Sequence, residues 1–236
     1  MMKKLHVLGL ALLAVFAFGA IVAASASALE FDLAEWLENG LEIPAGQTRA
    51  SDTEGELLLE ETVIGIKIDA LCSGIFIGNV GADGADTITS LQNLAKSTIS
   101  STPLTEPGLL CTNDENCPEP LAWADNLPWE TLLEWVLGDG EEFYADLLNN
   151  AGKNVGYHLI CMGSFGLEDL CTSSESASRM TNEAGGVVDG EFSEPFTELM
   201  GFKLANCEKA GAEKGIVEGL GFVLLTSGAA LSMNHV

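Results

Sequence analysis

Six cysteines are the residues of this chain best placed to form bonds: Cys72, Cys111, Cys117, Cys161, Cys171 and Cys207. Thiols can ligate a metal, attack as nucleophiles or pair as disulfides. Metal ligation is poorly served, because the chain has no Cys-x-x-Cys, its cysteine spacings are not those of a zinc site, and His158 is the sole histidine in the body of the sequence. A catalytic thiol needs a base within reach. On a strand, His158 falls on the face opposite Tyr157 and Cys161, so Cys161 and His158 do not make a dyad. An even cysteine count suits disulfides in an oxidising compartment. Many connectivities are open to six cysteines. Short loops close at the least entropic cost, which favours Cys111–Cys117 and Cys161–Cys171 and leaves Cys72–Cys207 as a long-range clasp.

Carboxylates are the most abundant chemical groups, with 35 acidic against 10 basic side chains and a formal net charge of −25. A glycosidase needs two carboxylates across a cleft, and so many acids meet that condition without singling out a pair. Calcium is the metal the acids suit best. Asp83-Gly84-Ala85-Asp86, Asp114-Glu115 and Asp139-Gly140-Glu141-Glu142 cluster acids in turns, although none has the ligand spacing of an EF-hand loop and acids are common in turns for their own hydrogen bonding. Serine-hydrolase elbows, zinc-protease and aspartic-protease motifs and nucleotide-binding glycine loops are missing. Trp123, Trp129 and Trp135 fall six residues apart, just after the Cys111–Cys117 segment, with Tyr144 beyond. They are candidates for an aromatic platform that binds a sugar or peptide, or for core packing. The charge excludes a nucleic-acid binder held by phosphate contacts. A hydrophobic content of 47% separates the chain from acidic disordered tails.

These side chains need a frame, and the frame begins with export. Lys3 and Lys4 precede an uncharged stretch, Val7 to Ala24, and Ala26-Ser27-Ala28 offers a small-x-small cleavage site. Residues 1–28 therefore read as a secretory signal, and an uncleaved anchor is the alternative. The exported domain, 29–236, loses two lysines and moves from −25 to −27. The apolar stretch Gly219 to Leu231 is too short to span a bilayer, so no membrane span is expected after cleavage. No proline- or serine-rich linker divides 29–236, which reads as one domain.

Within it the periodicity is mostly two. Asn39-Gly40 is a hairpin signal between Leu33–Glu38 and Leu41–Ile43, with one helical turn over Leu33–Glu38 as the alternative. Strands are expected over Gly55–Thr62, Val63–Asp69, Ser73–Val80, Asn154–Met162, Gly185–Phe192, Leu199–Cys207 and Ile216–Thr226, with a turn at Gly81–Gly84 and loop from Gln92 to Pro120. Trp129–Leu137 fits strand or helix. Many short strands and 26 glycines point to an all-β fold, a sandwich or barrel.

Several short motifs run through the exported part. They are Trp36-Leu37 with Asn39-Gly40, Gly55-Glu56-Leu57-Leu58-Leu59-Glu60, Cys72-Ser73-Gly74-x-Phe76-x-Gly78, Leu127-Pro128-Trp129-Glu130-Thr131, Asp169-Leu170-Cys171 and Gly215-Ile216-Val217-Glu218-Gly219. On these the chain resembles uncharacterised, secreted, cysteine-bearing β-rich proteins of soil actinobacteria. The resemblance implies export, disulfides and strand rather than helix around Leu127–Leu133, and it brings no activity or functional residues with it. The expected function is an exported, acidic, disulfide-braced binding or structural module. An extracellular hydrolase using paired carboxylates on carbohydrate is the alternative. N-terminal sequencing of the secreted protein should start at Leu29; a start at Met1 in a membrane fraction would overturn cleavage.

Overall fold

The computed structural model describes residues 29–63, 66–93, 109–112, 116–118, 120–138, 141–148, 154–161, 167–193, 200, 206–208 and 215–235. The proposed signal lies outside them, as does most of Leu199–Cys207. Apart from one 3-10 turn at Ala82–Gly84, the regular structure is entirely strand, as the alternating patterns predict. In chain order the strands are β1 (Glu30–Glu38), β2 (Leu41–Glu42), β3 (Thr48–Val63), β4 (Ile66–Gly81), β5 (Ala85–Asn93), β6 (Leu109–Cys111), β7 (Pro120–Asp125) and β8 (Trp129–Gly138). They continue as β9 (Glu141–Leu148), β10 (Val155–Cys161), β11 (Leu167–Ser173), β12 (Ser176–Glu183), β13 (Val187–Phe192), β14 (Asn206–Cys207), β15 (Gly215–Leu225) and β16 (Leu231–His235). Both ambiguous segments are strands. Asn39 and Gly40 take φ of 53° and 77°, the left-handed pair that a two-residue hairpin demands, and Leu37 then pairs with Glu42. Trp129–Leu137 lies in β8. The segment expected as loop contains β6, which the sequence does not announce.

Eight of these strands close on themselves. Antiparallel pairing runs β3–β4–β5–β8–β9–β12–β13–β15 and returns to β3. The result is a barrel, the closed one of the two expected architectures, and closure leaves these strands no open sheet edge. Alternation then sorts every side chain. On β8, Trp129, Thr131 and Leu133 are buried while Glu130 and Leu132 are exposed. On β15 the inward residues are Gly221, Val223 and Leu225, whereas Leu220 and Phe222 face out at 45% and 43% exposure. Both faces of β15 thus carry apolar residues, and Gly221 is on the inner one.

The two ends are covered differently. β1 pairs with β8 through Glu30–Leu33 and then leaves it to pair with β16. Trp36, Leu231 and Met233 on these strands pack with Val80, Leu133, Met180 and Val188 to plug one end. Asn182 at the tip of β12 imitates a strand edge for β16: its Nδ2 donates to the Met233 carbonyl at 3.0 Å and its Oδ1 accepts from the Met233 N–H at 2.7 Å. At the other end a second sheet, β6–β7–β10–β11–β14, continues from the edge of β4. Its inner face, Leu109, Ala122, Tyr157 and Leu159, packs on Leu59, Ile68 and Ala70 of the β3–β4 hairpin.

All six cysteines form disulfides, but with a pairing different from the expected one: Cys72–Cys111, Cys117–Cys161 and Cys171–Cys207, with sequence separations of 39, 44 and 36. Strand register explains this. Cys72 faces Cys111 directly across β4–β6, and Cys171 faces Cys207 across β11–β14, with Cα atoms 3.9 and 4.0 Å apart. The expected Cys161–Cys171 bridge fails although both residues share the β10–β11 hairpin. Cys171 pairs with Tyr157, four residues from Cys161 and so about 13 Å along the strand, beyond disulfide reach. Each observed bridge closes a long loop and contributes about 4 kcal/mol in the chain-entropy model. Non-reducing peptide mapping should recover these three links, on an intact mass six hydrogens below the reduced chain. A Cys111–Cys117 peptide would contradict the register.

Candidate functional site

The barrel interior is not filled. A cavity of about 160 Å³ lies where the barrel meets the flanking sheet: Phe76, Ile88, Trp129, Leu148, Met180 and Val223 wall it from the barrel, and β6, β7, β10 and β11 close it from the other side. Small residues create the room. Gly190, Ser176 and Ser178 line it where larger side chains would fill the barrel, and a Cβ on Gly190 would already sit 3.1 Å from Met180 Sδ. Trp129 is positioned by its polar edge, since its Nε1 donates to the Asp125 carbonyl at 2.7 Å. Its ring therefore meets the cavity with no unmet donor.

Two acids stand in this apolar setting. Asp86 on β5 and Asp146 on β9 both line a smaller recess of about 40 Å³, and Asp146 also borders the main cavity. Register places Thr131 of β8 between them: Asp86 is its direct partner on one side, and Asp146 is diagonal to it on the other. Asp86 Oδ1, Asp146 Oδ1 and Thr131 Oγ1 are shut off from solvent without a well-formed hydrogen bond. Burial pushes Asp146 up to about 7, with the Thr131 hydroxyl pulling the other way. Burial, and then the neighbouring Asp146, hold Asp86 well above the usual carboxylate range. Two carboxyls this close in a low-dielectric site share a proton more readily than they both ionise.

The tryptophans singled out by sequence are dispersed by the fold. Trp129 lines the cavity. Trp123, on the outer face of β7, stacks on His158 of β10 with ring centroids 5.1 Å apart. Trp135 is at the plugged end, stacked on His235 at 4.5 Å and edge-on to Tyr144. Trp123 also borders the cavity that Trp129 lines, whereas Trp135 lies apart from both. His158 Nε2 lies 3.5 Å from Asp125 Oδ1, and no thiol is near to make it a base, since Cys161 is in a disulfide. Of the acidic turns considered for calcium, Asp114-Glu115 and Asp139-Gly140 lie outside the described residues. Asp83 is on the exposed turn while Asp86 points into the barrel, so these two do not converge. Among the described residues, the one compact group of potential metal ligands is Asp169, Cys171 and Cys207, and its sulfurs are bonded to each other. No described helix is long and apolar enough to cross a membrane.

Sequence reasoning missed the aspartate pair. In the sequence Asp86 reads with its turn neighbours Asp83 and Gly84, although Asp86-x-Ile88 and Tyr144-x-Asp146-x-Leu148 carry the signal: an acid in line with apolar residues two positions away. Comparison of the chain with protein-family models, with curated proteins and with solved structures finds no match.

The raised acids make stability depend on pH. Both hold their protons more tightly folded than unfolded, so the contribution of Asp146 to stability is complete below 3.8, its ordinary value, and is lost as pH rises from there to about 7, with Asp86 acting in the same direction. The slope is roughly 1 kcal/mol per pH unit for one such group, or about 2–4 °C in Tm. Thermal unfolding at fixed ionic strength should give a higher Tm at pH 5.5 than at pH 8. The Asp86→Asn/Asp146→Asn variant should be the more stable protein at pH 8 and show a flatter profile. A variant with the full wild-type pH slope would show that the pair is not the source.

Proposed function

We propose that this protein is an exported, disulfide-braced binding module that holds a small, largely apolar molecule inside its barrel. One observation carries the reading: an unfilled apolar cavity that opens from the closed ring of strands toward the flanking sheet. An eight-stranded barrel is just wide enough either to be packed by its own side chains or to hold one small ligand, and here small residues stand where packing would put large ones. A cavity of about 160 Å³ is near the size that admits a single benzene-like ring. The three disulfides fit an oxidising compartment, and the signal-like residues 1–28 support secretion. Kinship with the secreted actinobacterial proteins belongs to the same proposal. Hydrolysis is not the reading these residues support, because the close pair of buried acids sits inside the barrel rather than across an open cleft.

Small apolar probes such as ethylbenzene test the reading. They should raise Tm in a concentration-dependent way and alter the fluorescence of Trp129. Val217 lines the cavity from β15, so Val217→Phe should fill it and abolish probe binding while keeping Tm within several degrees. Wild-type protein that binds no apolar probe at millimolar concentration would overturn the proposal.

A further inference from the structure

We propose that Asp86 and Asp146 are the anchoring end of the barrel cavity, and that the ligand is a small hydrophobic amine, with an apolar body of about one ring and a single ammonium head. This inference rests on the reading of the barrel as a binding module and specifies what it binds. The recess is the polar end of an otherwise apolar chamber. Asp146 borders both spaces, so a ligand whose body lies against Trp129, Leu148 and Val223 brings its head to the carboxylates. The protein under-serves those carboxylates: Asp86 Oδ1 and Asp146 Oδ1 are enclosed without a well-formed hydrogen bond, and the Thr131 hydroxyl is the one donor that acts on Asp146. No arginine or lysine lines either space. An ammonium group supplies the missing donors and the missing charge together.

Charge count selects the valence of the head. Two adjoining buried carboxyls that retain one proton carry one net negative charge, which a monocation neutralises. An anionic head, such as a fatty-acid carboxylate, would meet an acid pair and no cation. A neutral hydrocarbon fills the chamber but leaves the oxygens bare. A calcium ion needs six to eight oxygens and is best served by several carboxylates, whereas Asp86 and Asp146 are the only carboxylates among the described residues of the recess wall and Ser51, Thr53, Asn79 and Thr87 are neutral. Burying a charge is costly unless it is paired and hydrogen-bonded, so pairing within the barrel yields strong discrimination for a charged head over an apolar one.

Benzylamine and ethylbenzene have the same number of heavy atoms and differ in the head, which makes them the test pair. Calorimetric titration of the purified, oxidised protein at pH 7 should show benzylamine binding at least tenfold more tightly. The Asp86→Asn/Asp146→Asn variant, with its fold checked by circular dichroism, should keep ethylbenzene affinity and lose the preference. Asp86→Asn alone should weaken the preference if the double variant does not fold. Ethylbenzene binding without a preference for benzylamine, or a preference that survives both substitutions, would overturn the anchor and leave the cavity reading intact. Binding of neither probe would overturn both. Calcium binding that the double variant abolishes would replace the amine with a metal and overturn the inference.

Discussion

β4 has a single edge left once it has paired with β3, and the structure depends on how that edge is divided. From Gly74 to Val80 it pairs with β5, and at Cys72 and Ser73 it pairs with β6. The first part closes the barrel and the second launches the flanking sheet. At the point of division a side chain on residue 74 would run into Leu109 and the Gln92 carbonyl, so the position requires glycine. The Cys72–Cys111 bond fastens the first pair on the far side of the split. β8 is divided in the same way: Trp129–Leu132 pair with β5, and Glu134–Leu137 pair with β1. Gly84, at φ 72°, fits beside Leu133 at that second division. β5 is therefore the closing stave of the barrel, with a diverging neighbour at each end and a register shift opposite Ile77 and Gly78 that lets it fit. Asp86 is on this strand, so the same closure that builds the chamber delivers one of its two acids.

The surplus of acid is managed by register. On the outer face of the barrel, Phe222 stands between Glu54 of β3 and Asp189 of β13, and Leu220 stands between Glu56 and Glu191. Ile75 and Ile77 flank the same acidic column from the other side, opposite Glu54 and Asp52. Like charges directly across a strand pair destabilise a sheet. Here columns of apolar residues separate columns of acids, which gives the exposed Leu220 and Phe222 a physical role that needs no partner. Where acids do approach one another the strain is visible. Burial and the nearby Glu183 and Glu191 raise Asp189, and burial with Asp32 raises Glu134. The cations are used locally, as where Arg49 Nε meets Glu38 Oε2 at 2.6 Å.

Local geometry was legible in the sequence and long-range register was not. Asn39-Gly40 demanded a left-handed pair and received one, because the constraint lies within two residues. The alternation of β10 and β13 was readable for the same reason, whereas the expected strand Val63–Asp69 straddles the connection between β3, which ends at Val63, and β4, which runs unbroken from Ile66 to Gly81. The disulfides were misassigned because proximity along the chain measures loop entropy, whereas bonding depends on which strands become neighbours; Cys111 is six residues from Cys117 yet faces Cys72. β15 shows the same limit. Its alternation was plain, but both of its faces carry apolar residues, so alternation alone did not say that Val223 and Leu225 turn inward while Leu220 and Phe222 stay outside. Asp86 was hidden by its neighbourhood, since an acid two residues after Gly84 looks like part of a turn until β5 is known to begin at Ala85.

The cavity and the acid pair are hard to account for by stability alone. An empty cavity of this size costs about 4 kcal/mol at the rate measured for apolar cavities. Replacing buried charged groups with well-packed apolar ones is commonly neutral or stabilising. Both features thus work against a fold that already bears a large like-charge surplus and is held by three long-range disulfides. They also coincide. Among the enclosed polar atoms without a well-formed hydrogen bond, three meet at one end of the unfilled space: Asp86 Oδ1, Thr131 Oγ1 and Asp146 Oδ1, on neighbouring strands of the barrel. Local rules of packing and polar satisfaction are most often broken where a protein works, because a ligand supplies what the chain omits. Here the missing volume and the missing hydrogen-bond donors are adjacent, and one molecule can supply both.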